Sequence, residues 1–373
     1  MLKQIDVKDI SELYETPIVQ QTAFWSAVKN KLGVSTLAID YKVNSTDLFE
    51  NETDNRIIAS DVLIIIQQVS RDYCIAYVPY GPELEPDEEL QGRFLEELSE
   101  SIRPFLPDNC IMIRYDLCWK SYWTDEDNFD SSGNWLGEPG VRSQEMLFNF
   151  NTIGWNFRKA SFNILPSNTV FLNLNGGAEN LLKQMKSKTR YNIGLSRRKG
   201  VQIRTAGMES IPVWYRLYQE TARRNGIVVN DIKYFEAILS AASENTGSQA
   251  DVKLLIAEWE NKPLAAMFLI ISDKRGSYLY GASSDLNRNF MATYALQWEA
   301  INISIRRGCT EYDMFGVSPN SDPSHPLYGL YKFKLGFGGH IFHSLGCWDY
   351  PLIENKYFAF RSFELTTQGF HTN

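Results

Sequence analysis

The feature that most constrains the fold is a pattern of strands that occurs twice, in the two halves of the chain. Residues 252–281 contain three apolar, β-rich runs separated by the turn-forming sequences ENKP and DKRG. Residues 55–81 have the same character, with strand runs and a polar turn, SRD, and both stretches end in Tyr-Gly. Each stretch predicts antiparallel strands that follow one another directly, so the two halves are expected to resemble each other.

The sequences that follow these two stretches are also alike. Residues 89–105 and 293–308 have the apolar spacing of amphipathic helices, and each leads into a β-like run that begins at Cys110 or Cys309. A helical segment also precedes each set of strands. This order is that of a GNAT-like N-acyltransferase domain. The predicted fold class is therefore α/β (α+β), with two tandem GNAT-like domains whose mixed, largely antiparallel sheets are flanked by helices.

The domain boundary is expected near the sequence ILPSNT, where a proline interrupts two β-like runs. The first domain is predicted to comprise residues 1–165 together with 345–373, so that the C-terminal tail packs back onto it. Residues 166–344 are predicted to form the second domain. Residues 119–150 are rich in Asp, Ser, Gly and Trp, which predicts an irregular surface excursion of the first domain.

The cysteines and the apolar runs indicate the cellular compartment of the protein and whether it binds a metal. The five cysteines are odd in number and lack CxxC spacing, so neither a disulfide framework nor a zinc site is indicated. The longest apolar runs have the length of strands, and the N-terminus lacks the apolar segment of a signal peptide. We therefore expect a cytoplasmic protein that binds no metal.

The chain has a formal net charge of −8 but contains one cluster of basic residues without acidic neighbours. Residues 185–200, MKSKTRYNIGLSRRKG, hold six basic side chains and no acidic one, and helical spacing places them on a basic helix over residues 179–199. A solvated helix surface is one interpretation, but such surfaces usually interleave Glu with Lys. The missing acids favour a polyanionic partner. The basic residues are Lys186, Lys188, Arg190, Arg197, Arg198 and Lys199.

Three motifs of the C-terminal half together resemble a known family. They are KSKTRYNIGLSRRKGV, YLYGASSDLNRNFMATYALQWEAI, and EYDMFGVSP followed by GLYKFKLGFGG. With weaker support from FWSAVKNKLG and YVPYGP, the similarity to the Fem family covers nearly the whole chain. Only a short spacer separates the basic segment from the next helical pattern, so the resemblance is to the compact members that lack a long helical hairpin.

The resemblance implies both a fold and an activity. Fem proteins consist of two GNAT-like domains and are aminoacyl-tRNA-dependent transferases that build peptidoglycan interpeptide bridges. The expected reaction moves Gly, Ala or Ser from aminoacyl-tRNA to the side-chain amine of the stem peptide of a peptidoglycan precursor, lipid II or UDP-MurNAc-pentapeptide. A lipid-linked acceptor would imply peripheral membrane association. No cofactor is expected, because the aminoacyl ester is already activated.

Aminolysis of an ester requires a proton acceptor and a group that stabilises the oxyanion. An unperturbed amine pKa of ~10.4 places the free amine about 3 units, or ~4–5 kcal/mol, uphill at neutral pH. Lys334 matches the catalytic lysine of the family, with Lys332 two residues away in a predicted strand. Glu85, or with less support Glu83, stands where the family usually has an aspartate after Gly-Pro. Tyr80 replaces an arginine that the family often has before that Gly-Pro.

The resemblance also implies binding residues. Lys29 and Arg224 match family positions that contact the diphosphate of the precursor, and Tyr280 matches a substrate-contacting tyrosine. The basic helix would then bind the acceptor arm of the tRNA. The alternative for each of these residues is an ordinary surface charge or a packed tyrosine.

Two other functions remain open at the level of the sequence. An ordinary GNAT enzyme binds the pyrophosphate of acetyl-CoA with a glycine-rich loop at a helix start. In this chain Arg288 matches the start of that loop, but Met291 stands where its first glycine should be. CoA is therefore disfavoured as the donor, whereas another activated acyl donor remains open. The second alternative is a non-catalytic protein that binds RNA or a wall precursor.

Overall fold

This computed structural model describes residues 1–124, 128–131, 134–226, 228–244 and 250–366. The chain divides into two units. Of the described residues, the first unit contains 1–14, 20–167 and 343–366, and the second contains 15–19 and those between 168 and 342. Each unit has its own apolar core.

The first unit begins with strands and helices that build most of its sheet. In chain order they are β1 (Leu2–Lys8), α1 (Ala23–Lys31), β2 (Ser35–Asn44), β3 (Ile57–Gln68), β4 (Cys74–Pro79), α2 (Glu88–Ile102), β5 (Cys110–Lys120), α3 (Val141–Phe148) and β6 (Arg158–Lys159). Strands β1 to β4 pair antiparallel, and β5 joins β4 in parallel after the α2 crossover. Helix α2 packs on the sheet because Phe94, Leu98 and Ile102 recur on one helical face, and all three are fully buried.

The second unit repeats this plan. Its elements are β7 (Asn168–Asn173), α4 (Gly177–Gln184), α5 (Ser187–Arg198), β8 (Gln202–Ala206), α6 (Ile211–Asn225), α7 (Ile232–Ala242), β9 (Asp251–Trp259), β10 (Lys262–Ser272), β11 (Arg275–Ser283), α8 (Ala292–Arg306), β12 (Glu311–Gly316) and α9 (Tyr328–Leu335). The strands lie in the order β7-β12-β11-β10-β9-β8, and only the β11–β12 pair is parallel. The predicted antiparallel strands of residues 252–281 are thus confirmed.

The chain ends in β13 (His340–Pro351) and α10 (Glu354–Thr366). Strand β13 pairs antiparallel with β5, and Tyr357 of α10 is fully buried against Ile75, Ile111 and Met112. In the described part of the chain, no helix is both long enough and apolar enough to cross a membrane.

Two predictions of local structure were wrong: the single helix expected in the basic segment, and the irregular structure expected throughout residues 119–150. The expected single helix over residues 179–199 is two helices, α4 and α5, because Met185 and Lys186 are extended (ψ 146° and 144°). The amide of Lys186 donates a 2.9 Å hydrogen bond to the carbonyl of Gly336, so a distant segment stabilises the break. In the excursion, residues 141–148 are helical rather than irregular.

The strand predicted around Lys334 is instead the helix α9. The alternation of Lys332 and Lys334 with apolar residues suggested a period of two, but Phe333 and Phe337 lie four residues apart and both pack on Tyr294. The glycines that follow permit close packing. A Cβ on Gly336 would lie 2.4 Å from Oγ1 of Thr189, so this end of α9 lies directly against the start of α5.

Candidate active site

Lys334 lies in the last turn of α9 and is only 2 % exposed. Its Nζ donates a 2.7 Å hydrogen bond to the carbonyl oxygen of Gly316, the last residue of β12. The same nitrogen lies 5.4 Å from the centroid of the Tyr278 ring on β11. An ammonium has three donors, so the bond to Gly316 uses one of them and the group can still donate to a bound carbonyl oxygen.

Burial changes the protonation of this lysine. Desolvation lowers the pKa of Lys334 to about 7, and the nearby charge of Asp313 opposes this shift. The ammonium and the neutral amine are therefore both accessible near neutral pH. A desolvated cation attracts a developing negative charge more strongly than one in bulk water does.

Asp313, whose charge acts on Lys334, was not identified as a candidate from the sequence. It is 6 % exposed, and its Oδ1 accepts hydrogen bonds from the backbone amide of Phe315, at 2.7 Å, and from the hydroxyl of Thr169. Desolvation raises the pKa of this carboxyl group, and the charges of Arg275 and Lys334 oppose the shift. A signal was present in the sequence, because an aspartate flanked by apolar residues within a strand pattern is an unusual occupant of a core.

The surroundings of Tyr278 are built from β11, β12 and α8. Tyr278 and Tyr312 both hydrogen-bond Gln297, which is 2 % exposed. A Cβ on Gly281 would lie 1.6 Å from the Tyr278 hydroxyl, so only glycine fits beneath that ring. The contact explains why glycine is needed at position 281, beside the ring that Lys334 approaches.

Tyr280 occupies the opposite side of β11 from this cluster. Its hydroxyl and that of Tyr234 on α7 are 2.8 Å apart, and burial raises the pKa of Tyr280. Regular alternation along a strand would place Tyr278 and Tyr280 on the same face. They lie on opposite faces because β11 has a bulge at Leu279, where Tyr278 pairs with Leu269 and Tyr280 with Phe268. The structure therefore does not bring Tyr280 together with Lys334 in one hydrogen-bonded group.

Arg224 of α6 binds the loop that follows β11. Its guanidinium donates to the carbonyl and the hydroxyl of Ser283, at 3.1 and 2.9 Å, and forms a 2.5 Å salt bridge with Asp285. The side chain is 22 % exposed. Arg224 thus stabilises the β11–α8 loop. An anion that binds Arg224 would have to share these contacts or replace them.

Glu85 and Glu83 both lie in the first unit and are both exposed residues. Oε1 of Glu85 accepts a 3.0 Å hydrogen bond from the amide of Lys120. Although the residue as a whole is exposed, partial desolvation of its carboxylate raises the pKa of Glu85 to about 6. A carboxylate with this pKa is suited to accept a proton near neutral pH.

Lys29 lies near the end of α1 in the first unit and is half-buried. Its Nζ lies 5.2 Å from the Trp25 ring centroid, and desolvation lowers the pKa of Lys29. The helix C-terminus and the aromatic face both favour the cation at this place. A half-buried ammonium is also a suitable partner for a phosphate.

The basic segment forms an exposed surface on the second unit, which we call the basic surface. It consists of Lys186, Lys188, Arg190, Arg197, Arg198 and Lys199, all of them exposed. Within the described residues, none of the six forms a salt bridge, whereas Arg204 just beyond them pairs with Glu258 at 3.0 Å. Arg198 and Lys199 lie over the rings of Tyr191 and Phe290. The surface combines unneutralised charge with an aromatic ring, Tyr191, that is 60 % exposed.

Residues 288–291 form the turn that leads into α8. Met291 caps α8 in a left-handed conformation with φ 55°, and Arg288 is exposed in the preceding turn. Lys332 is exposed and lies over the Tyr328 ring. Among the residues described, no group of three or more His, Cys, Asp or Glu side chains is arranged to hold a metal ion.

The two similar units, each with antiparallel strands followed by a helix and a parallel strand, define an α/β protein of the GNAT-like class. The chain belongs to the FemAB family, whose model matches residues 11–246 and 240–364. A crystal structure of FemX has the same fold, with a TM-score of 0.71 at 16 % identity, covering 96 % of this chain and 100 % of that one. The predicted fold class and family are thus confirmed.

Curated relatives include lipid II:glycine glycyltransferases of staphylococci. The protein from Staphylococcus epidermidis is 22 % identical over 255 residues, which are 52 % of this chain and 60 % of the relative. That from Staphylococcus saprophyticus is 23 % identical over 233 residues, 46 % of this chain and 55 % of the relative. The matched regions thus span less than two thirds of the length of these relatives.

Proposed function

We propose that this protein transfers an aminoacyl group from aminoacyl-tRNA to the side-chain amine of the stem peptide of a peptidoglycan precursor. The observation that carries the proposal is the buried ammonium of Lys334, held by Gly316 at 2.7 Å in a chain of the FemAB family. Relatives named lipid II:glycine glycyltransferases support glycine as the first amino acid to test, before alanine and serine, and lipid II as the first acceptor, before UDP-MurNAc-pentapeptide.

Because the ester is already activated, the protein has to supply only a cation for the oxyanion and an acceptor for the proton of the amine. The acceptor amine attacks the ester carbonyl carbon, the carbonyl oxygen becomes an oxyanion, and Lys334 donates a hydrogen bond to it. When the intermediate collapses, the amide bond remains, the ester C–O bond breaks, and the tRNA leaves with a free hydroxyl group. The amine gives up one proton on this path, for which Glu85 is the candidate acceptor, and the leaving oxygen of the tRNA gains one proton, so the proton balance closes when Glu85 returns it.

Substrate binding is assigned to the other predicted residues. Lys29 and Arg224 would bind the diphosphate of the precursor, and Tyr280 would contact the acceptor through its ring, because its hydroxyl is already bonded to Tyr234. The basic surface would bind the tRNA backbone, where phosphate contacts by Lys and Arg supply most of the affinity. With lipid II as the acceptor, the protein would associate with the membrane peripherally.

The decisive experiment is reconstitution with purified components. The protein is mixed with glycyl-, alanyl- or seryl-tRNA and with either precursor, and the mass of the precursor is followed. We expect its mass to rise by one amino-acid residue, and we expect Lys334→Ala to lose turnover while it still binds the precursor. A protein that binds both substrates with no mass change would be a binding protein, and this outcome would refute the proposal. Turnover with another acyl donor and none with charged tRNA would assign the alternative acyltransferase.

A further inference from the structure

Asp313 is a buried carboxylate in the middle of β12. Its neighbours Tyr312 and Met314 are fully buried, and Asp313 itself is 6 % exposed. A charge in such a place is costly unless other groups compensate it. The contacts that compensate Asp313 lead directly to the candidate active site.

The contacts form a chain from Asp313 to Lys334. The carboxylate accepts the amide hydrogen of Phe315 at 2.7 Å, and Phe315 has a φ of 63°, which L-residues with bulky side chains rarely adopt. This left-handed residue lies one position before the end of β12, where the pairing with β7 is irregular. The next carbonyl, that of Gly316, accepts the hydrogen bond from Lys334 at 2.7 Å.

The carboxylate is itself held by groups on neighbouring strands. Thr169 of β7 donates its hydroxyl hydrogen to Oδ1 of Asp313. Arg275 of β11 is the other nearby cation, but its guanidinium already forms a 2.7 Å salt bridge with Glu311. Asp313 is therefore fixed in orientation, and its charge acts on Lys334 as well as on Arg275.

We propose that Asp313 is a positioning residue for Lys334. Its carboxylate holds the left-handed conformation of Phe315 that aims the Gly316 carbonyl at the ammonium, and its negative charge favours the ammonium over the neutral amine. The inference rests on the proposed function, because it assigns Asp313 an effect on catalysis that is exerted through Lys334.

The test separates the charge of Asp313 from its shape. Asp313→Asn retains an oxygen that can accept from Phe315 and removes the charge, so kcat at pH 7 should fall about fivefold if the Lys334 pKa drops by about one unit, with KM unchanged. The alkaline limb of the pH profile should move to lower pH by that unit. Asp116→Asn is the matched control, since Asp116 is also a fully buried aspartate but lies in the first unit. Asp116→Asn should leave the alkaline limb of the pH profile unchanged.

A second variant covers the possibility that Asp313→Asn does not fold. Thr169→Val removes the hydroxyl that holds Asp313 and keeps its charge, so kcat should fall with little movement of the alkaline limb. If folded variants of both kinds keep the kcat and the pH profile of the parent, the inference is wrong. Retained turnover in Lys334→Ala would instead refute the role of Lys334, and a parent protein that transfers nothing from charged tRNA would refute the proposed function. Loss of turnover in Lys334→Ala with no effect of Asp313→Asn would refute only the role of Asp313.

Discussion

The ammonium of Lys334 and the carbonyl of Gly316 are joined by a 2.7 Å hydrogen bond between the end of a helix and the end of a strand. Within the described part of the chain, Lys334 forms no salt bridge, although it is 2 % exposed. A lysine in such surroundings opposes folding, because the desolvation of its charge is only partly compensated. Such a residue is more readily explained by function than by stability.

Replacement of Lys334 by methionine should therefore inactivate the protein and stabilise its fold. Desolvation is the largest influence on the Lys334 pKa, so removing the charge should raise the free energy of unfolding at pH 7 by about 1–2 kcal/mol. Urea denaturation and the transfer assay measure the two effects. A marked loss of stability in Lys334→Met would show that the lysine serves the structure.

The activity should depend on pH through Lys334. The folded-state pKa of about 7 lies below the ordinary value for lysine, so the cation that stabilises the oxyanion is present below pH 7 and is lost as the pH rises through it. Single-turnover rates across the pH range should show this alkaline decline. Lys334→Arg, whose guanidinium stays charged to about pH 12, should remove the decline even where its absolute rate is lower.

Stability linked to this lysine should have the opposite pH dependence. Between the folded-state pKa of about 7 and the unfolded value near 10.4, the unfolded chain binds more protons at Lys334 than the folded one does. The contribution of Lys334 to the free energy of unfolding should therefore rise with pH in that window. The difference between parent and Lys334→Met should shrink from pH 7 to pH 10 in urea denaturation, and a constant difference would contradict the lowered pKa.

Glu85 should act as a base whose contribution disappears in acid. Because its pKa is raised to about 6, its carboxylate is ionised above that value and protonated below it. Glu85→Gln should lower kcat at pH 7 by a factor on the order of ten to a hundred and remove the acid limb near pH 6. Glu89→Gln is the control, since Glu89 is exposed in the first turn of α2, just after this loop. Equal rates for the parent and Glu85→Gln would exclude this residue as the proton acceptor.

The basic surface should determine tRNA affinity and its salt dependence. Arg197→Ala and Lys199→Ala should each weaken tRNA binding and reduce the slope of log Kd against log salt by roughly 0.7–0.9 per lost phosphate contact. Filter binding at several salt concentrations measures the slope. Lys3→Ala, an exposed lysine in β1 of the first unit, should leave it unchanged. A slope that none of the basic-surface variants changes would exclude this surface as the tRNA site.

Arg114 should be essential for the fold of the first unit. It is 1 % exposed, and its guanidinium contacts Asp349 of β13 at 2.6 Å and Glu364 of α10 at 2.7 Å. Arg114→Met would leave two buried carboxylates without their cation, so the free energy of unfolding should fall by about 3–5 kcal/mol. The salt bridge between the exposed Arg56 and Glu52 provides the control, because Arg56→Met should leave the free energy of unfolding nearly unchanged. Similar losses in both variants would contradict this account.

Much of the architecture could be predicted because it depends on patterns local in sequence. The alternation in residues 252–281 and the helical spacing in 89–105 and 293–308 determine the antiparallel strands and the crossover helices. The identities of Lys334, Glu85 and the basic segment were also available from their motifs.

The structure decided what depends on contacts between distant residues. The break after α4 is stabilised by the bond between Lys186 and Gly336, and α9 is a helix because Phe333 and Phe337 pack together on Tyr294. The spacing of apolar residues in the sequence does not show which distant residues pack together. It therefore predicted one long helix over residues 179–199 and a strand around Lys334.

The environment of the candidate site was likewise a tertiary property. The sequence supplied a lysine at position 334, but its burial, its lowered pKa and its link through Gly316 and Phe315 to Asp313 arise only when α9 packs against β12. The sequence thus determined which chemical groups the protein has and which elements carry them. The packing of those elements decided how far each group is removed from water, and hence its charge and reactivity.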